Sequence, residues 1–466
     1  MPYKVQPLLS VHPKPSEPTP NHTIRVNAPA IADAQSGVIE HGSVILRETK
    51  AGYQILASGQ HAQVDAHLRS MAQADATLDS IPELTLHDRV LIPALVNAHT
   101  HLDLSHIGPI AHDPGEGFVK WVDIIRANRK DEDLAIREAV SLGIEYSLIG
   151  GSIAVGDISG APNGRITDAP AHELAESPIL GVSYLEFFGI GKTAPGAIKK
   201  IEQYLRETYP KSAASIANSG VQIGLQPHAP NTVDRSVYRW ACAAARSRGM
   251  PLSTHLAETP EERQLIASGT GPQRELLGRL GVWDDSILDH IGRGHHPVEH
   301  LREILDTGED QAPMLVAHVN DATDDAIAIL ASTNTAVAYC PRASAYFGAA
   351  THFGPHRYQD MLAAGVRVCL GTDSIVNLDT PDRISILDEL RLLARRDETD
   401  PNSLLAMGTT NGAIALGLDE NRCSLTAGTV PLGLLALPIE PGHPNAWSGA
   451  MHSSEPPEWV CIGSSA

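Results

Sequence analysis

Along the first ninety residues, short apolar runs alternate with polar and glycine-containing turns. Gly42–Leu46, Tyr53–Ala57 and Val90–Ile92 each read as strands. A similar texture returns at Leu432–Leu437. The two chain ends are therefore expected to build one small flanking β-sandwich domain from residues 23–92 and 418–466. Residues 1–22, rich in Pro and polar side chains, read as a flexible N-terminal tail.

Between these ends the pattern changes to strand-like runs alternating with helix-like stretches, as in parallel α/β architecture. Eight strand candidates stand in the sequence: a run ending at His99 and His101, then Ser152–Asp157, Ile179–Glu186, Val221–His228, Pro251–His255, Met314–His318, Ala336–Cys340 and Val366–Asp373. Helices are expected at Val233–Gly249, Pro260–Ala267, Asp324–Ala331 and Arg357–Gly365. Eight such units predict a (β/α)8 TIM barrel over residues 93–417. The stretch 271–311 is long for a connection and is expected to cover the barrel mouth.

In this fold, catalytic groups sit at the C-terminal ends of several strands. Strands one, four, five, six and eight all end in His or Asp. In Leu91-Ile92-Pro93-Ala94-Leu95-Val96-Asn97-Ala98-His99-Thr100-His101-Leu102-Asp103, the two imidazoles lie two residues apart and face one way from a strand end. With His255 and the carboxylate of Asp373 they form a donor set for zinc or a similar divalent metal, leaving a position for water. Such a metal lowers the pKa of water towards about 7. Asp373 can both touch the metal and take the water's proton; its alternative is a helix N-cap. Glu258, three residues after His255, is placed to face the cavity as a proton donor, or to serve as a first-turn helix carboxylate. His318 and His228 can each hydrogen-bond a substrate or the attacking water, or serve as supporting histidines. Weaker substrate-binding candidates are Glu116, Trp121, Glu186 and Arg342. Arg342 either forks a substrate carboxylate or pairs with a loop Asp. His352 and His356 read as solvated loop residues.

Two other zinc patterns are set aside. The cytidine-deaminase signature is absent. His296-Pro297-Val298-Glu299-His300 matches H-x-x-E-H, but Pro297 belongs in a helix's first turn and leaves His296 outside that helix. It reads better as a polar loop entering a helix.

Composition narrows the partners. A formal charge of −20 with no basic stripe disfavours nucleic acid. No apolar stretch approaches the length of a membrane span, and the N-terminus has no signal-peptide pattern. Five scattered cysteines form no disulfide framework and fit a reducing cytoplasm. A small-molecule substrate is expected, and a homo-oligomer is compatible with the sequence.

The combined motifs resemble the amidohydrolase superfamily, in its deaminase and chlorohydrolase branch. The resemblance is carried by Pro93–His101, His228-Ala229-Pro230, Thr254–Thr259, Ala317-His318, Tyr339–Arg342, Gly371–Ser374 and Thr410–Ala413. It implies one divalent ion, usually zinc or iron, on His99, His101, His255 and Asp373. It also implies water activation by Asp373 and His318, ring-nitrogen protonation by Glu258 and a substrate contact from His228. Binuclear relatives carry a carboxylated Lys at the end of strand four; Gln226-Pro227-His228 stands there, which favours a mononuclear site. His101–His106, Gly117–Val122 and the Cys340–Gly348 segment are similar to aminodeoxyfutalosine deaminases of menaquinone synthesis and their uncharacterised relatives. Asn231 stands where many adenosine-type deaminases have Tyr after His-Ala-Pro, and Ser344 stands where His is expected in the Cys-Pro-Arg segment. The expected activity is hydrolytic deamination of an adenine-containing nucleoside. The alternatives are hydrolysis of another heteroaromatic C–N or C–Cl bond, or a non-catalytic ligand-binding barrel.

Overall fold

The computed structural model describes residues 5–9, 23–78, 80–306 and 313–463. The chain begins with β1 (Thr23–Asp33), β2 (Gly37–Thr49), β3 (Gly52–Gln60), β4 (Glu83–Thr85) and β5 (Arg89–Pro93). The parallel strands β6 (Leu95–Thr100), β7 (Ser152–Ser159), β8 (Leu180–Phe187), β9 (Val221–Pro227), β10 (Ser253–Leu256), β11 (Met314–His318), β12 (Thr335–Tyr339) and β13 (Arg367–Leu370) follow. β14 (Gly433–Pro438) and β15 (Glu458–Ile462) close the chain.

Both ends meet in one sheet of order β15-β14-β5-β1-β2-β3, with β4 paired to β1. The expected sandwich thus takes the form of a single seven-stranded sheet. Its far edges still share a core: Tyr53 and Ile55 of β3 belong to the same apolar cluster as Leu434 of β14 and Val460 of β15. The edges are joined by the Gly428–Thr429 turn, which exchanges main-chain hydrogen bonds with Ile55 at 2.7 and 2.8 Å. β3 shows the pattern that produces this: Tyr53, Ile55 and Ala57 are buried and alternate with less buried neighbours. Within the predicted tail, Leu8 and Leu9 donate to the main-chain oxygens of Trp459 and Val460 at 2.9 and 2.8 Å. Residues 1–4 and 10–22 lie outside the described residues.

All eight predicted barrel strands form. They lie in two parallel arcs, β6-β7-β8-β9 and β10-β11-β12-β13. A bridge between Thr100 and Asp373 joins one pair of ends, and one between Leu225 and Leu252 joins the other. The N–H groups of Thr372 and Asp373 both donate to His99 O, at 3.0 and 3.1 Å. The strands therefore form a closed ring. β7 and β8 are buried at every position, as parallel strands covered on both faces must be. The predicted helices appear at Arg235–Arg246, Pro260–Ser268, Asp324–Ala331 and Tyr358–Ala363. Helix Pro260–Ser268 shows why: Pro stands in its first turn, Thr259 Oγ1 accepts from Glu262 N at 3.2 Å, and left-handed Gly269 ends it.

The long apolar run before His99 serves two sheets. Pro93 ends β5, and Ala94 is the only residue between β5 and β6. Ala94 N donates to Gly433 O of the end sheet, whereas Leu95 N donates to Gly151 O, just ahead of barrel strand β7.

Candidate metal and active site

β6 carries His99, fully buried, and sets His101 immediately beyond its end. β10 contributes His255. One ring nitrogen from each of the three lies within 4.8 Å of the others. His255 Nδ1 faces His228 O at 3.1 Å. A carbonyl only accepts, so Nδ1 carries the proton and Nε2 presents a lone pair. That Nε2 lies 3.4 Å from His101 Nε2, which in turn lies 3.4 Å from Asp373 Oδ1. Both ring nitrogens of His99 and Nδ1 of His101 are buried without a hydrogen-bond partner among the described residues. Buried polar atoms are ordinarily satisfied, and a divalent cation shared by the three rings would take one nitrogen from each. Burial, reinforced by the neighbouring imidazoles, holds His99 and His101 well below the usual histidine range. Burial likewise brings His255 down to about 3. All three are thus neutral, the form that binds metal. The residues fit the ion that the donor set implies.

The next layer is acidic. Glu258, His318 and Asp373 each offer an atom within 4.8 Å of the others. His318 Nε2 stands 3.6 Å from Glu258 Oε1. Burial, then the Asp373 charge, pushes the Glu258 carboxyl well above the usual carboxylate range. Burial raises Asp373 to about 7, opposed by hydrogen bonds from Ser374 N and Asn377. The strand ends that present these groups are strained: Ala257, His318, Val319 and Asp373 have φ values of 51°, 76°, 51° and 56°. Non-glycine residues in this region cost energy and gather at functional sites.

These groups open into a cavity of about 390 Å³. His101, His255, Glu258, His318 and Asp373 line its inner end, with Glu186 and His228 beside them. His228 Nε2 lies 3.9 Å from Glu186 Oε1, and its Nδ1 lies 2.7 Å from Thr232 Oγ1. The outer walls are largely apolar. Phe118, Trp121 and Ile125 come from the connection after β6, and Leu276, Leu277 and Leu280 from the 271–311 stretch. Trp121 stacks on Phe118 and meets Phe347 edge-on. Asn231 lines the cavity too, with its Oδ1 unpaired among the described residues.

Not every predicted residue reaches this site. Arg342 does not line the cavity. Its Nε pairs with the fully buried Glu389 at 2.6 Å, and its Nη1 contacts Asp379 and Thr380. A carboxylate buried that deeply needs its own cation, so the guanidinium is spent there. Glu116 is exposed and paired with Lys120 on the next turn, away from the cavity lining. His356 is not a solvated loop residue: it stacks on Tyr339 with centroids 3.7 Å apart and donates to His318 O at 2.9 Å. His352 is exposed. His296 caps the helix Pro297–His300 and lies 3.3 Å from Asp321 Oδ2.

Sequence reasoning missed a buried charge cluster. Arg129 donates from Nε to Asp103 Oδ2 at 2.9 Å, lies 3.5 Å from Glu186 Oε2 and lines the cavity. Asp157 on β7 feels the same charge. Nothing in the polar run around Arg129 marks it. Asn377 was also missed, although its place four residues after Asp373 is a local signal.

Residues 90–431 match the family described as the Amidohydrolase family. Aminodeoxyfutalosine deaminase of Deinococcus radiodurans is 30% identical over 296 residues, 62% of this chain and 65% of that protein, just under two thirds of its length. A 5-methylthioadenosine/S-adenosylhomocysteine deaminase of Moorella thermoacetica is 28% identical over 361 residues, 76% of this chain and 74% of that protein. The crystal structure of Helicobacter pylori aminofutalosine deaminase superposes with a TM-score of 0.68 at 20% identity, covering 93% of this chain and 97% of that one. Atrazine chlorohydrolase of Arthrobacter aurescens complexed with zinc does so at 0.64 and 18% identity, covering 93% and 92%. Barrel, strand-end histidines and the match over residues 90–431 agree: this chain belongs to the amidohydrolase family, whose members are metal-dependent hydrolases.

Proposed function

We propose that the chain is a hydrolytic deaminase of an adenine-containing nucleoside, using one zinc ion on His99, His101, His255 and Asp373. The carrying observation is the placement of the Glu258 carboxyl on the cavity wall, 3.6 Å from His318 Nε2 and within 4.8 Å of an Asp373 oxygen. Burial favours the protonated form of this carboxyl, the form that can donate a proton. The deaminase relatives support the substrate class, and iron is the alternative metal.

The ion, when bound, acidifies water and so supplies a nucleophile. Glu258 donates its proton to the ring nitrogen next to the amino-bearing carbon, so negative charge does not build up on the ring. Asp373 takes a proton from the attacking water and passes it to the departing amine, which leaves as ammonia; the proton of the added hydroxyl returns to Glu258 as the ring carbonyl forms. His318 holds the water between itself and Asp373. His228 and Glu186 bind the substrate's polar groups, and the aromatic wall at Trp121 holds its apolar part. The 5′ substituent is the feature that separates the candidate nucleosides, and aminodeoxyfutalosine, a step of menaquinone synthesis, is the first to test. Among the described residues no helix is long and apolar enough to cross a membrane. Five free cysteines support a cytoplasmic location for this activity.

The test is ammonia release by zinc-loaded protein from aminodeoxyfutalosine, adenosine, methylthioadenosine and S-adenosylhomocysteine. Turnover of at least one, lost in Asp373→Asn, is the expected result. Glu258→Gln should reduce kcat by about 10²–10⁴-fold with zinc content unchanged. Silence across the panel with zinc bound would overturn the purine reading. It would favour C–Cl or another ring C–N bond, in line with the chlorohydrolase likeness of the fold.

A further inference from the structure

Glu258 follows Ala257, a residue held at φ 51°. A strained peptide of this kind persists only when its surroundings over-determine it. Three buried side chains from three different segments converge on it.

The first is Glu262, in the first turn of helix Pro260–Ser268 and 2% exposed. In an ordinary capping box, the acid at this position reaches back to the N–H of the cap residue. Here it reaches past the cap. Its Oε1 accepts from Ala257 N at 2.9 Å and its Oε2 from Glu258 N at 2.8 Å. The second is Asn320, just beyond β11, whose Nδ2 donates to Glu258 O at 3.1 Å. The third is Ser344, from the helix Pro341–Tyr346, whose Oγ donates to Asn320 Oδ1 at 2.6 Å. That bond fixes which end of the Asn320 amide faces Glu258. The N–H and the C=O of Glu258 are thus both tied down. Its carboxyl is left to point at His318 and the cavity. Asp321 N adds a further tie to Ala257 O at 3.0 Å. Glu262, Asn320 and Ser344 do not themselves line the cavity.

We infer that Glu262, Asn320 and Ser344 form a positioning clamp that holds the main chain of Glu258 so that its carboxyl meets the substrate in one orientation. The inference rests on the reading of Glu258 as the proton donor. Ser344 stands where the resemblance leads one to expect His, and its hydroxyl completes the chain of bonds. The clamp acts through Glu258 alone, which gives it a signature that a merely structural role lacks.

The experiment is a double-mutant cycle on zinc-loaded protein. Asn320→Ala should lower kcat by about tenfold to 10²-fold, the scale of a misplaced catalytic group, with KM and zinc content nearly unchanged. Ser344→Ala should do the same more mildly, and Ser344→Thr, which keeps the hydroxyl, should restore the rate. In a Glu258→Gln background Asn320→Ala should cost no more than about twofold, because interacting residues fail to add. Equal losses in both backgrounds, or no loss in the wild-type background, would overturn the clamp. Hydrogen exchange of the Ala257 and Glu258 amides gives a readout independent of turnover. Exchange should quicken in Glu262→Ala, which removes the acceptor of both N–H groups, and unchanged exchange overturns the clamp even in a protein that deaminates nothing on the panel. Silence of the wild type with quickened exchange would overturn the purine reading while leaving the tethering of the Glu258 main chain intact.

Discussion

Asn377 Nδ2 donates to Asp373 Oδ2 at 2.6 Å, leaving Oδ1 3.4 Å from His101 Nε2. One oxygen of the carboxylate is thereby anchored and the other turned to the three imidazoles. A hydrogen bond to a charged group contributes roughly 1.5–3 kcal/mol. Asn377→Ala should therefore lower kcat by about ten- to a hundredfold with most of the bound metal retained. Steady-state kinetics paired with metal analysis of the same sample checks this.

Metal removal should abolish turnover, and zinc should restore it. His99 is fully buried with both ring nitrogens unpaired among the described residues, so metal binding also stabilises the fold. Free zinc at a hundred times its Kd adds about 2.7 kcal/mol. The Tm should rise with zinc in the wild type and lose that response in His99→Ala.

Asp157 gives a pH signature with a definite sign. Burial, then the Asp103 charge, raises its pKa from 3.8 to about 7. Between those values the folded chain holds a proton that the unfolded chain releases. The stability contributed by this group is complete below its unfolded pKa and is lost as pH rises through about 7. Asp157→Asn keeps an acceptor for Leu102 N and carries no charge. It should be more stable than the wild type at pH ~8, by on the order of a few kcal/mol at most, with the difference fading towards pH ~4. Urea unfolding of both proteins across this range measures it.

Arg129 should be costly to remove. Asp103 and Glu186 are each 3% exposed and share its guanidinium. Arg129→Met leaves two buried carboxylates without their cation, a loss of about 3–5 kcal/mol. Denaturant unfolding of metal-loaded protein should show it as a lower midpoint, with binding of substrate also weakened because Glu186 is released.

The barrel was legible because parallel strands buried on both faces leave continuous apolar runs, and each run here ends in a residue with chemistry. His99, His101, His255 and Asp373 could be brought together on paper by the single rule that such ends converge. Residues that arrive from connections could not. Arg342 and Glu116 were expected at the site for their charge, but a local partner claims each: Glu389 for one and Lys120 for the other. His356 follows a loop and still ends up beneath His318. Arg129 was invisible for the opposite reason. It sits in a polar stretch with other cations, and only the folded connection after β6 carries it inward to Asp103. Charge and spacing report a side chain's chemistry; which partner it meets is set by tertiary packing.

The single-residue passage from β5 to β6 has a consequence for how this protein can be rearranged. The end sheet and the barrel are sewn together through the very strand that carries His99. Swapping in another end sheet, or excising this one, would pull on the extended backbone leading straight to the metal ligands. The two parts are not interchangeable modules, and a transplant that spared every residue of the site would still retune its geometry.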